Sequence, residues 1–230
     1  MTPRARHAGP PLVALAVIHI VLFVGGVIAV AALAGGDRFP SPTESESDIV
    51  RFFANHARQT RWAGALYFGA AFPLGLFTAT VVSRLRYLGI SAAGATIALF
   101  GGIGASLALL ACGGLTWTLA VIGPMNDATA AIRAVHLLTF VSGGPATIAL
   151  SGLLVAGVAV TAGLSRLVPA WVAWVGVLIA IVSELSTLVL LWPGAMLLLP
   201  IARFPGLLWL VLAGALLPTS RPDSIGVPST

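Results

Sequence analysis

The sequence contains six apolar runs of about twenty or more residues, each long enough to cross a hydrocarbon core ~30 Å thick. Charged residues make up only 8% of the 230-residue chain, whereas a soluble domain carries about 25%. A soluble fold could not cover its surface with so few charges. We therefore predict an all-α transmembrane helix bundle with six spans and no separate soluble domain. The predicted spans are 11–34, 61–83, 92–122, 133–162, 169–192 and 196–217.

The basic residues indicate the orientation of the bundle. All twelve are arginine, and they divide evenly between the two predicted sides. The short connections that contain Arg84, Arg86 and Arg166 are purely basic, which is typical of cytoplasmic loops. We therefore expect a bacterial plasma membrane protein with two cytoplasmic tails, 1–10 and a disordered 218–230. No basic stripe is interleaved with exposed aromatic residues, so we expect the lipid bilayer and not nucleic acid as the partner.

The first span has a second interpretation as a cleaved signal peptide. Two arginines precede the apolar run, and Ala32-Leu33-Ala34 resembles a small-residue cleavage site. The run is about 22 residues long, which exceeds a typical signal-peptide apolar region. A retained first span is therefore the favoured interpretation, and cleavage stays open.

The outer loop 35–60 is the only substantial polar segment of the predicted membrane domain. Ser41-Pro42-Thr43-Glu44 has the pattern of a capping box, with Pro at the first helical position. Apolar residues follow at helical spacing from Ile49 to Ala57. We predict a short amphipathic helix over about 42–59, lying on the membrane surface or capping the bundle. Its role is that of a connector or of a lid or docking element.

Glu184 and Arg203 are the two charged residues that the pattern places inside the membrane. Glu184 lies nine residues before Pro193, and Arg203 lies nine residues after Gly194. On adjacent antiparallel helices these positions have similar depth, because each residue adds about 1.5 Å. We predict a Glu184–Arg203 ion pair, which serves either as a structural clamp or as a solute or proton site.

Two further features lie at membrane depth. His19 lies in the first span and is either a hydrogen-bonded core residue or part of a proton path. Ser142, Gly143, Gly144 and Pro145 form the most helix-breaking stretch in any span. This stretch is either a tolerated kink or an unwound segment that lines a cavity.

Small residues dominate the helix contacts that we expect. The pattern Ala98-x-x-x-Gly102 with Gly101-x-x-x-Ala105 gives the third span a small-residue stripe, which predicts close packing at the centre of the bundle. The single Cys112 behaves as a small apolar residue. The sequence contains no enzyme motif and no recurring metal-ligand spacing, so we expect no catalytic activity, no metal and no cofactor.

The C-terminal third carries a further pattern. Segment 166–176, RLVPAWVAWVG, opens the fifth span, and 205–210, PGLLWL, lies in the sixth. Together with 52–55, FFAN, before the second span, these segments resemble a group of uncharacterised six-span bacterial membrane proteins, common in actinobacteria and classed as a domain of unknown function. The resemblance implies a fold and a membrane setting, and it implies no catalytic residues.

Two functions remain open on these grounds. The first is a non-enzymatic protein that acts by packing or docking, as an accessory subunit or in a homo-oligomer; the scarcity of intramembrane polar groups favours it. The second is a small-solute or proton-coupled transporter that uses Glu184, Arg203 and His19. Convergence of these three side chains on one cavity would favour the transporter.

Overall fold

The computed structural model describes residues 7–33, 38–125 and 127–220. These residues form helices and no β-strand, and six helical spans among them are long and apolar enough to cross a membrane. The predicted six-span, all-α bundle is therefore confirmed. The α-helices are α1 (Leu12–Leu33), α2 (Glu46–Asn55), α3 (Ala57–Tyr87), α4 (Ala93–Ile122), α5 (Thr129–Val141), α6 (Thr147–Leu164), α7 (Ala170–Leu185) and α8 (Leu198–Leu216).

Three irregular turns complete the spans. A π-helical turn, Ser142–Ala146, joins α5 to α6 within the fourth span. Two 3-10 turns, Ser186–Leu190 and Pro193–Leu197, lie between α7 and α8. We call the end of the bundle that carries α2 the loop-helix end. The opposite end, where α1 begins and α8 ends, is the tail end.

The tail end contains the largest apolar core. Phe77, Leu85, Val158 and Leu210 are buried there together with residues of every other membrane-crossing helix except α5. α4 and α6 cross closely in this region, because a methyl group on Gly157 would clash with the backbone of Gly94 and Ala98. The small-residue stripe is thus used within the chain, as small residues allow helices to approach in lipid.

The third span packs against α3, α5 and α6, as expected for the predicted central helix. The fourth span is the more enclosed of the two, with 56% of its apolar window buried against 44% for the third span. A small-residue stripe identifies a side that packs closely, but α4 also has a broad exposed side that includes Phe100 and Leu107.

Helix α2 is shorter than the predicted helix 42–59. Its N-cap is Ser45, whose side chain accepts a hydrogen bond from the Asp48 N–H. Ser41 and Glu44 make one of the two bonds of the predicted capping box, since the Ser41 N–H donates to Glu44 Oε1 at 2.9 Å. The Glu44 N–H bonds instead to the Ser41 backbone carbonyl, which closes a separate turn. Two overlapping cap patterns compete here, and the second one starts the helix. At the other end the chain bends at His56, and α3 follows at once.

Helix α2 caps the bundle. Ile49, Phe52 and Phe53 are buried and pack against Leu119 of α4 and Ile132 of α5. Of the two predicted locations, the membrane surface and the end of the bundle, α2 therefore takes the second, with its apolar side facing the bundle.

At the tail end, α3 extends beyond the predicted span to Tyr87. Arg84 consequently lies in the last turns of a helix, and it is buried, with Nη1 donating to Leu217 O at 3.5 Å. Of the predicted tails, residues 1–6 and 221–230 lie outside the described residues. Ala34 of the signal-peptide cleavage pattern lies outside them as well.

Candidate ligand site around Arg203

The site begins with the break in the fourth span. Gly144 has φ −86° and ψ −107°, which is outside the helical region. The Thr147 N–H bonds to Ser142 O and Gly144 O, whereas in a regular α-helix it would bond to Gly143 O. The turn formed by Ser142, Gly143, Gly144 and Pro145 therefore releases the Gly143 carbonyl from its regular partner.

Arg203 uses this released carbonyl. Its Nη2 donates a short hydrogen bond to Gly143 O, and its Cζ lies 5.1 Å from the centroid of the Phe23 ring, within cation–π range. Among the described residues, no carboxylate forms an ion pair with Arg203.

The predicted Glu184–Arg203 ion pair is wrong. Glu184 is exposed on the outside of α7, with Oε1 beside Gly152 of α6, whereas Arg203 points inward to Gly143 and Phe23. Equal spacing from the turn fixes only the depth of a residue, while the direction of its side chain around the helix axis is a separate variable. The two 3-10 turns between α7 and α8 also alter that direction, because they hold 3.0 residues per turn instead of 3.6.

His19 is a buried, hydrogen-bonded residue next to Arg203. Its Nδ1 donates to Ala70 O at 2.8 Å, and its ring stacks on Phe23 with centroids 6.3 Å apart. His19 and Arg203 both line a small cavity of about 40 Å³. Two of the three predicted intramembrane groups therefore converge on one cavity, and Glu184 does not.

A second and larger cavity lies on the loop-helix side of Arg203. Its volume is about 350 Å³, and Arg203, Phe23 and Leu109 line both cavities. Its other polar lining residues are Tyr67, Cys112, Thr116, His136 and Thr139. Val27 of α1 and Phe204 of α8 line it as well and are also exposed on the outside of the bundle. The cavity therefore borders the lipid-facing surface between α1 and α8.

His136 lies where the outer loop meets this cavity. Its Nε2 donates to Pro40 O at 3.1 Å, and its ring packs against Phe39 and Phe53. Only 1% of the residue is exposed, and Nδ1 has no hydrogen-bond partner among the described residues. His136 thus fastens the loop that contains Phe39 and Pro40 over the cavity and leaves one ring nitrogen without a bond.

The guanidinium of Arg203 is the one positively charged hydrogen-bond donor among the residues that line the larger cavity. The hydroxyls of Thr116 and Thr139 donate to carbonyls of their own helices, so they are not free to donate to a ligand. Arg203 has five N–H groups, and Gly143 O is its one hydrogen-bond acceptor in the part of the chain that the structure describes. Guanidinium pairs well with carboxylate and phosphate, with two parallel hydrogen bonds. The site is therefore chemically suited to an anionic group.

Sequence reasoning missed several residues of this site. Phe23 follows His19 by one helical turn, so the shared side of α1 was visible in the spacing. Tyr67 and His136 belong to other helices, and no spacing within one helix shows that they approach Arg203. The partner of Arg203 is a backbone carbonyl, which no side-chain pattern identifies.

No family model, no curated protein and no solved structure matches this chain. The six apolar spans define it as a multi-pass integral membrane protein, and its helix bundle contains a largely apolar cavity that Arg203 lines.

Proposed function

We propose that this protein is a non-enzymatic membrane protein that binds an amphiphilic molecule with an anionic head group. The head group pairs with Arg203, and the apolar part occupies the larger cavity. The observation that carries the proposal is an intramembrane arginine that lines a cavity of about 350 Å³ and pairs with no carboxylate of the described residues.

The energetics of Arg203 support this ligand class. A charged side chain at membrane depth is costly, and such residues nearly always have a partner or a functional role. The bond to Gly143 O and the contact with the Phe23 ring solvate the guanidinium but leave its charge unneutralised. An anionic head group supplies the missing charge and accepts the remaining N–H groups.

The shape of the larger cavity supports an amphiphile over a free ion. Its volume lies at the lower end of the range of small-molecule sites, about 300–1,000 Å³, which fits a head group with one short chain. Apolar lining residues such as Phe140, Leu199 and Phe204 surround the polar groups. A longer chain extends between Val27 and Phe204 toward the lipid.

Native mass spectrometry of the protein in a neutral detergent tests the proposal. The probes are dodecanoate and dodecyl phosphate, with dodecanol as the neutral amphiphile and inorganic phosphate as the free anion. We expect one bound dodecanoate or dodecyl phosphate, with dodecanol and inorganic phosphate bound at least tenfold more weakly. Equal binding of dodecanol would show that charge plays no part, and equal binding of inorganic phosphate would show that the apolar cavity plays none. Either outcome overturns the proposal.

Variants locate the binding site. Arg203→Met is expected to weaken dodecanoate binding at least tenfold, and Arg203→Lys to weaken it less, because lysine keeps the charge but lacks the planar fork. Arg61→Met is the matched control, since Arg61 is an exposed arginine of α3 and lines neither cavity. If Arg203→Met binds dodecanoate as well as Arg61→Met does, Arg203 is not the site.

Small-solute or proton-coupled transport is the second candidate function. The broken fourth span supports it, because unwound segments line the substrate sites of transporters, and so does the cavity that His19 shares with Arg203. The test is proton uptake by reconstituted vesicles under an imposed membrane potential. Proton transport requires uptake above that of empty vesicles and its loss in His19→Gln. Uptake equal to that of empty vesicles removes proton transport by this chain alone.

The location and the family stay proposals as well. Arg86 and Arg166 at the tail end support an orientation with cytoplasmic termini in a bacterial plasma membrane. Membership of the uncharacterised six-span family has the three quoted segments as its support. Reporter fusions at the C-terminus, one active only inside the cell and one only outside, test the orientation.

A further inference from the structure

Glu184 is a carboxyl group on the lipid-facing surface of the bundle. It is exposed and lies 14 residues after the first residue of α7 and eight residues before Trp192. Trp192 is exposed at the loop-helix end, where tryptophan is typical of the membrane interface. At 1.5–2.0 Å per residue, Glu184 lies about 12–16 Å from that interface. This depth is within the hydrocarbon core.

The surroundings of Glu184 form a continuous apolar side of α7. Ile181, Leu185 and Leu188 are exposed, and their spacing places them on one side of the helix with Glu184. On the inner side of α7, Gly152 of α6 is buried against Ser183 and lies beside Glu184 Oε1. The exposed surface of Ile181, Glu184, Leu185 and Leu188 is here called the Glu184 face.

The Glu184 carboxylate has no ion-pair partner among the described residues. Ionisable residues in membrane spans nearly always face the bundle interior or pair with an opposite charge. Glu184 does neither within this chain. An ionised carboxylate that faces lipid at this depth therefore needs an opposite charge, and the described residues do not supply one.

We propose that the Glu184 face binds a membrane-spanning helix of another protein that carries one lysine or arginine at the depth of Glu184. The basic side chain pairs with the carboxylate, and the exposed apolar residues pack along the partner helix.

The described residues of a second copy of this chain do not offer that basic group at the depth of Glu184. His19 and His136 are buried, and Arg203 lines the internal cavities. The remaining basic residues of the described spans lie near the ends of helices or are buried, namely Arg58, Arg61, Arg84, Arg86 and Arg133. The required partner is therefore a different chain with complementary charge.

The test uses a defined single-span peptide in phosphatidylcholine vesicles. The peptide is a leucine–alanine helix with one lysine about eight residues from its interfacial tryptophan, and energy transfer from donor-labelled protein reports association. We expect the lysine peptide to associate at least tenfold more tightly than the same peptide with leucine at that position. Moving the lysine seven residues toward the other end should remove the preference, because the charges then differ in depth by about 10 Å.

Variants of the protein assign the effect to Glu184. Glu184→Gln should reduce the preference for the lysine peptide to less than twofold, while Glu46→Gln, which removes an exposed carboxylate of α2 outside the spans, should leave it unchanged. Circular dichroism checks that both variants are folded. A lysine preference that persists in Glu184→Gln, or a leucine peptide that binds equally well, would overturn the proposal. Energy transfer between two copies of the protein that Glu184→Gln abolishes would also overturn it, because the face would then serve self-association.

Discussion

The tail end of the bundle and the region around Arg203 differ in helix regularity and in packing. At the tail end, regular helices bury residues such as Phe77 and Val158, and α4 and α6 pack backbone to backbone at Gly157. Around Arg203, a π-helical turn and nearby 3-10 turns replace regular helix, and two cavities remain. Arg203 and the two cavities thus lie where the helices are irregular.

The difference has a physical cause. In lipid every backbone polar group needs a partner within the protein, and the carbonyls of a regular helix are already bonded to its own N–H groups. The Ser142–Ala146 turn releases the Gly143 carbonyl, and Arg203 takes it. A buried arginine and an irregular helix are therefore two parts of one arrangement, while the close packing at the tail end holds the helices in place.

The largest effect is expected from filling the tail-end crossing. Gly157→Ala adds a methyl group that would clash with the backbone of Gly94 and Ala98, and overpacking of this kind costs about 1–3 kcal/mol. Gly114→Ala is the matched control, because no atom lies within 4 Å of the added methyl. Alanine is the better helix former by roughly 1 kcal/mol, so the control should be unchanged or slightly more stable. Unfolding in mixed detergents measures both free energies.

The two glycine variants also test the comparison itself. Equal stabilities for Gly157→Ala and Gly114→Ala would mean that the tail-end crossing relaxes without cost. The contrast between a tightly packed end and an open site would then be wrong.

The second prediction concerns the break in the fourth span. Pro145→Ala restores an N–H that can bond to Val141 O, which favours a regular helix. The Thr147 N–H then bonds to Gly143 O, and Arg203 loses its acceptor. We expect the dissociation constant for dodecanoate to rise about threefold to tenfold, or roughly 1 kcal/mol, because the guanidinium is no longer positioned.

Pro73 provides the control for this prediction. It is also a proline inside a helix, in α3, and it lines neither cavity. Pro73→Ala should therefore leave dodecanoate binding unchanged. If Pro145→Ala binds dodecanoate as tightly as the native chain does, the released carbonyl does not position Arg203.

The fold was predictable because it depends on length and apolarity. Six long apolar runs leave few alternatives to a helical bundle in a membrane, and the six observed spans lie within a few residues of the predicted ones at each end. The start of α2 was not predictable, because Ser41 and Ser45 both have suitable residues three positions later. Local cap patterns identify possible starts, and packing against Leu119 and Ile132 selects one.

The site was predictable only in part. Spacing identified Arg203, His19 and the helix break as polar or irregular points at membrane depth, and the structure brings these three together. Spacing also suggested Glu184 as the partner of Arg203, and this was wrong, because depth along two helices does not determine how each is rotated. The cavities and the Gly143 carbonyl depend on contacts between four or more helices, and one sequence does not encode such contacts in any short pattern.

The smallest effect is expected from the charges of α2. Arg51 Nη2 lies 2.6 Å from Asp48 Oδ1, and both side chains are largely exposed. An exposed pair three residues apart on a helix contributes only about 0.3–0.5 kcal/mol, because water and salt screen it. Arg51→Ala should therefore lower the free energy of unfolding by less than about 0.5 kcal/mol.

Arg58→Ala is the control, since Arg58 is exposed and forms no ion pair among the described residues. A loss above about 1 kcal/mol for Arg51→Ala alone would exceed the range for exposed pairs. It would mean that charge also matters structurally at the loop-helix end, and not only around Arg203.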